Sequence, residues 1–276
     1  MHRIGIMQGR LSPMKNGIIQ TFPADTWKEE FPLANEIGYE LIEWVLDLTD
    51  IDRNPLLTKE GRREINEYKQ KYNIAVPSVC CDYFIAFPFH SESLEIRMQA
   101  QGMLWELVRI CPEVGIQFLE IPLIGKSSIK DPAAAETVIR LFKDIEPLLE
   151  EKDLYLLLET DILPEDLTEL LKGISTKRIQ LNYDTGNSAY WGFDTKYELS
   201  HYGDRIGNIH IKDCTPKDYS VMLGTGNVDF DLTFSMLKDL QYSGDFILQA
   251  TRGADDVALA RTFFDFTKNY IQKYLK

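Results

Sequence analysis

The segment Leu154-Tyr155-Leu156-Leu157-Leu158-Glu159-Thr160-Asp161 is short, almost wholly aliphatic, and ends in carboxylates. A run that is apolar at consecutive rather than alternate positions fits a parallel strand covered on both faces. Working outward, comparable runs lie at 3–8, 41–46, 75–81, 117–123, 178–183, 207–211 and 246–250, with 154–159 as the fifth in order. Stretches of helical period separate them, at 26–37, 58–72, 93–114, 133–151, 164–172, 229–240 and 255–274. Asp25 reads as the N-cap of the first, and Pro164 sits in the first turn of its helix, where the missing N–H costs nothing. Parallel strands need crossover connections, and helices supply them. About eight strands alternating with about eight helices predict an α/β fold of the (β/α)8 barrel type. An open doubly wound sheet is the competitor, but its Gly-rich phosphate turn is absent: the first strand is followed by Met7-Gln8-Gly9-Arg10.

The chain has 276 residues, 44% of them hydrophobic and 26% charged, which is globular composition and excludes a disordered or collagen-like chain. No Gly/Ser/Pro linker, charge block or short repeat divides it, so residues 1–276 read as one domain. The net charge of −13 argues against a nucleic-acid partner, which demands a basic face. No stretch approaches the ~20 consecutive apolar residues of a membrane span, and the N-terminus carries no signal-peptide pattern. Cys80, Cys81, Cys111 and Cys214 form no C-x-x-C pair, and adjacent Cys80 and Cys81 face opposite sides of a strand. These features predict buried thiols and a cytoplasmic protein.

In such barrels the reactive groups stand at the C-terminal ends of the strands. Those ends carry Gln8 and Arg10, then Glu43 and Asp47, Asp82, Glu120, Glu159, Asp184, His210 with Lys212, and Gln249 with Arg252. A carboxylate closing an aliphatic strand is costly to bury without a partner. Glu159, Asp184 and His210 recur at roughly one βα unit, about 25 residues, which places them together at the barrel mouth. Taken singly, Glu159 is also explained by a salt bridge and His210 by a satisfied core histidine. As a set, two carboxylates and an imidazole suit one divalent ion of the Mn, Zn, Co or Fe type better than Ca²⁺.

With the segments Asn182-Tyr183-Asp184-Thr185-Gly186-Asn187, Ile209-His210-Ile211-Lys212-Asp213 and Leu223-Gly224-Thr225-Gly226-Asn227-Val228 beside the Glu-ending fifth strand, the chain resembles the xylose-isomerase-like TIM barrels, the sugar (phosphate) isomerase/epimerase group. The resemblance spans essentially the whole chain. It implies a metal held by Glu, Asp, His and Glu from four strands. The first three fall on Glu159, Asp184 and His210; the fourth falls on Gln249, a departure. The family's frequent Asp-x-x-His places Asn187 where His is expected, a second departure. The implied reaction is proton abstraction α to a carbonyl of a sugar or sugar phosphate, through an enediolate steadied by the metal. Glu159 is then both ligand and base. Gln249 can ligate through its carbonyl oxygen but takes no proton at pH 7. A one-base isomerisation needs Glu159 alone; a two-base epimerisation needs Glu120, Glu43 or Asp82 in addition.

Among further candidates, Asn187 is read as a substrate contact or a turn residue, and Arg10, Lys212 and Arg252 as anion-binding groups or salt-bridge partners. Glu120 is also a substrate-side candidate. Trp191 and Phe84 are read as packing on a sugar face or in the core. The Gly224–Gly226 loop closes over the site or is a tight turn. Abasic-site endonucleases of the same superfamily carry several metal-binding histidines; this chain has four histidines in all, and the charge opposes DNA. Two alternatives stand: a polyol-ketone dehydratase, and a non-catalytic sugar-binding barrel that has lost its second base at Gln249. The oligomeric state stays open between a monomer and a homo-oligomer; the aromatic set Phe263, Phe264, Phe266, Tyr270 and Tyr274 reads as barrel packing with a remainder for a subunit contact.

Overall fold

The structure is a computed structural model that describes residues 2–276; Met1 lies outside them. Its strands are β1 (Ile4–Met7), β2 (Leu41–Val45), β3 (Ser78–Cys80), β4 (Phe118–Leu123), β5 (Tyr155–Thr160), β6 (Ile179–Asp184), β7 (Ile206–Ile211) and β8 (Phe246–Leu248). They close a barrel in chain order, with β8 returning to β1 and every pairing parallel. Every residue of β1, β2, β3 and β8 is buried, as two-sided coverage requires. This is the (β/α)8 TIM barrel that the alternation predicts.

The helices are α1 (Trp27–Ile37), α2 (Lys59–Tyr72), α3 (Tyr83–Ala86), α4 (Leu94–Ile110), α5 (Pro132–Lys152), α6 (Pro164–Lys172), α7 (Thr185–Trp191), α8 (Thr195–Tyr202), α9 (Phe230–Asp239) and α10 (Asp256–Tyr274). Thr58, Ser93, Asp131, Asp229 and Asp255 cap their helices, each accepting a backbone N–H three residues on. Such caps contribute about 1 kcal/mol each. Asp25 corrects the reading of α1: the cap position belongs to Thr26, which makes no capping bond, while Asp25 pairs with Arg53 at 2.5 Å.

The main apolar layer lies between sheet and helices. Trp44 of β2 is fully buried there against Phe22 and Trp27, at 5.7 and 5.6 Å between ring centroids, and its indole N–H reaches Asn54 Oδ1 at 3.0 Å. The aromatic residues of α10 pack inward: Phe264 meets Tyr39 edge-on, and Phe266 and Tyr270 lie against Phe230. All four cysteines are buried and free. Among the described residues no helix is long and apolar enough to cross a membrane.

Register sets the site. Asp184 and His210 are direct cross-strand partners, Pro122 pairs with Glu159, and Cys80 pairs with Glu120. Residues paired in register share a face of a sheet, so these polar side chains converge inside the same end of the barrel.

Candidate active site

Glu159, Asp184 and His210 each present a ligand atom within 4.8 Å of the others, and all three residues are buried. Asp184 ends β6 and also caps α7, its Oδ1 accepting from Asn187 N at 2.8 Å. That leaves Oδ2 buried without a hydrogen-bond partner. His210 Nδ1 is likewise buried and unpartnered, 3.8 Å from Glu159 Oε2. Its Nε2 faces Glu43 at 2.7 Å and Glu120 at 3.2 Å. A carboxylate on one imidazole nitrogen makes that nitrogen the donor and turns the other's lone pair outward, the arrangement of a metal-ligating histidine. Two orphaned ligand atoms beside a carboxylate fit a divalent ion with mixed O and N ligands. Glu43 and Glu120 form a second trio with His210, but there the histidine nitrogen is already occupied.

The charges are tightly packed. Burial, with Glu120 and Asp184 adding to it, pushes the Glu159 carboxyl well above its usual range. Burial by itself opposes charge on His210, but Glu120 and Glu43 outweigh it and hold the imidazole pKa well above the ordinary value. A polar chain crosses the barrel below them. Ser78 Oγ donates to Glu43 at 2.6 Å, Asn208 donates to Asn182 Oδ1 at 3.1 Å, and Asn182 donates to Glu159 Oε2 at 3.0 Å.

Glu159 opens on a cavity of about 170 Å³ at the barrel mouth, shared with Glu120, Asp82, Gln249, Arg10 and Lys212. Asn187 links two of its walls: its Nδ2 donates to Glu159 Oε1 at 2.5 Å, and its Oδ1 accepts from Lys212 Nζ at 2.7 Å and from the Tyr219 hydroxyl at 2.5 Å. Lys212 Nζ is 3.6 Å from Asp184 Oδ2 and 3.5 Å from the centre of the Tyr219 ring. Gly186 makes room for it; a Cβ there would sit 2.5 Å from Lys212 Cγ. Arg10 donates to Ala250 O at 3.0 Å, Ile19 O at 2.6 Å and Gln20 Oε1 at 3.3 Å, and burial, with Arg252 nearby, lowers its pKa to about 10. Asp82 accepts from Gln20 Nε2 at 2.6 Å, and burial raises its pKa to about 6. Gln249 donates to Gln20 Oε1 at 2.9 Å and keeps its own Oε1 buried and unpartnered.

Other sequence candidates stand apart from this cavity. Arg252 is bound to Asp256 at 2.7 Å and to Ser12 O, behind the rim. Trp191 lines a second pocket beside Phe193, which Glu159, Asp184 and Asn187 also border, and Phe84 is a core residue packed on Phe89. The Gly224–Gly226 loop is a tight, anchored turn: Asp213 accepts from Gly224 N, Gly226 N and Val228 N at 2.9, 2.8 and 3.1 Å. Sequence reasoning passed over Gln20, Asn208 and Tyr219, gave Asn182 no role within its quoted segment, and gave Glu43 no part at His210. The signal for Glu43 was present, a carboxylate inside the apolar run Leu41-Ile42-Glu43-Trp44-Val45.

The geometry agrees with the comparisons to known proteins. The chain is 28% identical over 255 residues to L-ribulose-5-phosphate 3-epimerase UlaE of Salmonella heidelberg (strain SL476), covering 86% of this chain and 88% of that one. Among solved structures, an L-ribulose 3-epimerase superposes with a TM-score of 0.77 at 16% identity, covering 99% of this chain and 96% of that one. D-psicose 3-epimerase with D-tagatose from Clostridium cellulolyticum H10 gives 0.76 at 12% identity, over 98% and 99% of the two chains. The IOLI protein with a binding zinc atom gives 0.75 at 17% identity, over 99% of each. Residues 31–270 match the family described as xylose isomerase-like TIM barrel. The chain therefore belongs to the xylose isomerase-like TIM barrel family.

Proposed function

We propose that the chain is a divalent-metal-dependent epimerase of an uncharged ketose, acting at the carbon beside the carbonyl. The observation that carries this reading is the pair of buried, partnerless ligand atoms, Asp184 Oδ2 and His210 Nδ1, beside a Glu159 that opens on the cavity. A bound Mn²⁺, Zn²⁺, Co²⁺ or Fe²⁺ ion would act as a Lewis acid on the substrate carbonyl. Glu159, held by Asn182 and Asn187, takes the α proton. Epimerisation then requires a proton returned to the opposite face. Glu43 is hydrogen-bonded to His210 and Glu120 lies 3.2 Å from it; of the two carboxyls that line the cavity beside Glu159, Asp82 is the one tuned near neutrality, as a general acid should be.

The loops support an uncharged substrate. Barrels of this class hold phosphate at the loops after the seventh and eighth strands. Here the amides of the first are taken by Asp213, and Gly253 N of the second donates to Asp256 at 2.9 Å. Arg10 is held by Ala250 O, Ile19 O and Gln20 Oε1, and Lys212 donates to Asn187 Oδ1. Gln249 supports a second reading, a sugar-binding barrel without turnover.

The test is proton exchange into ketoses in D₂O with Mn²⁺, followed by NMR. Wild type incorporates deuterium and forms the epimer; Glu159→Gln does neither. Asp82→Asn exchanges the α proton of the starting sugar but yields about 100-fold less epimer, the usual scale for loss of one acid–base group. A ketose phosphate turns over more slowly than its parent ketose. Exchange by Glu159→Gln at the wild-type rate would end this mechanism, an enone product would indicate a dehydratase, and no exchange by wild type would leave the binding reading.

A further inference from the structure

Asp82, Gln20 and Gln249 form a chain of side chains across the mouth of the barrel, from the end of β3 through the loop after β1 to the end of β8. With Asp82 ionised, as it stands once it has given up its proton, the chain has one polarity: the carboxylate accepts, and Gln20 turns its NH₂ to it, at 2.6 Å. That aims Gln20 Oε1 at Gln249, which must answer with its own NH₂, at 2.9 Å. Gln249 Oε1 is then the one end of the chain without a partner, buried and bordering the cavity that Glu159 lines.

The register puts that oxygen on the interior face. His210 pairs with Ile247, and Gln249 lies two residues further along the same strand direction, its N–H bound to Ile211 O at 3.1 Å. We infer that Asp82 and Gln20 are positioning residues that present the carbonyl oxygen of Gln249, rather than its NH₂, to the divalent ion. The inference rests on the metal reading above and adds to it the reason for an amide at this position. With Asp82 holding the NH₂, a glutamate at 249 would face the Gln20 oxygen, whereas a glutamine donates to it beside Arg10 Nη2, which reaches the same oxygen at 3.3 Å.

The experiment is Co²⁺ affinity by chelator competition, with the visible Co²⁺ spectrum as a second readout, on a cycle of Gln20→Leu and Gln249→Glu. Gln20→Leu alone is expected to weaken Co²⁺ at least about 10-fold, the scale for loss of a group that orients a ligand, and to change the Co²⁺ band. In the Gln249→Glu background the same change is expected to leave affinity within about 2-fold or to tighten it, because a carboxylate has no wrong orientation and loses a repelling neighbour. An equal loss in both backgrounds would assign Gln20 a structural role and overturn the inference. So would wild-type affinity and spectrum in Gln249→Ala. Failure of the wild-type protein to bind Co²⁺ at all would instead remove the metal reading on which the inference rests.

Discussion

Glu30 shows what single buried carboxylates do in this chain. It stands on α1, 1% exposed, and its Oε1 accepts from Gly9 N at 2.8 Å and Leu11 N at 3.1 Å, tying down the loop that carries Arg10 and Gln20 to the cavity. Burial outweighs these bonds and raises its pKa from 4.5 to about 7. The folded state therefore binds this proton more tightly than the unfolded chain. Its contribution to stability is full below about pH 4.5 and is lost as pH rises through 7, a change of about 3 kcal/mol. Urea unfolding at pH 5 and pH 8 checks this: wild type is expected to lose about 2.5 kcal/mol more stability over the interval than Glu30→Gln, and parallel losses would contradict it. The same cost of burial is what made Glu159, Asp184 and His210 legible in the sequence, since each ends an apolar strand at unit spacing. Glu43 was less legible in its role because its partner His210 lies 167 residues away, and neither position names the other until the barrel closes. Asn182 and Asn208 are neutral, and their meaning is relational: one holds Glu159 and the other holds the first. Arg252 misled by type, because a guanidinium near a strand end answers equally to a ligand or to Asp256 four residues on.

At the scale of elements, the loop after β7 depends on one side chain. Asp213 is fully buried and accepts four backbone N–H groups, from Cys214, Gly224, Gly226 and Val228. Gly226 has no room for a side chain, since a Cβ there would lie 2.2 Å from Asp213 Oδ1. The segment between carries Tyr219 and Ser220 to the cavity. Asp213→Ala is expected to free this loop without unfolding the barrel, accelerating tryptic cleavage at Lys217 at least about 10-fold, as for a segment that opens locally. Cleavage at the wild-type rate would show that the loop is held by other contacts. Strand and helix positions were readable from apolar runs and periodicity because buried parallel strands and long amphipathic helices leave strong patterns. Ends were less readable. The run at 75–81 gives a strand that begins only at Ser78, because Pro77 has no N–H to donate and its carbonyl is taken by Gln117 and Phe118. The run at 246–250 gives one that ends at Leu248, with Ala250 O turned to Arg10. The short helices α3, α7 and α8 left no usable period, and Asp184 is the N-cap of α7, so that one residue both caps a helix and belongs to the candidate metal cluster.

For the molecule as a whole, the barrel gathers Glu43, Glu120, Glu159, Asp184 and His210 into one buried cluster. Like charges crowded out of water destabilise the fold unless a cation or protons neutralise them. An ion that binds only the folded chain adds stability by mass action, about 2.7 kcal/mol at 100 times its Kd. For a chain of this size that corresponds to a Tm raised by about 5 °C. Asp184→Asn separates the two effects. Its Oδ1 can still accept from Asn187 N, and an NH₂ replaces the orphaned Oδ2, so one buried negative charge is removed while the cap of α7 is kept. The ion loses an anionic ligand at the same time. Thermal unfolding in EDTA is therefore expected to place Asp184→Asn at or above wild type, and saturating Mn²⁺ is expected to raise wild type by several degrees while leaving the variant within about 1 °C. A variant less stable than wild type in EDTA would mean that the Asp184 charge is already compensated, by Lys212 at 3.6 Å. An equal response of both proteins to Mn²⁺ would place the ion elsewhere on this acidic surface rather than between Glu159, Asp184 and His210.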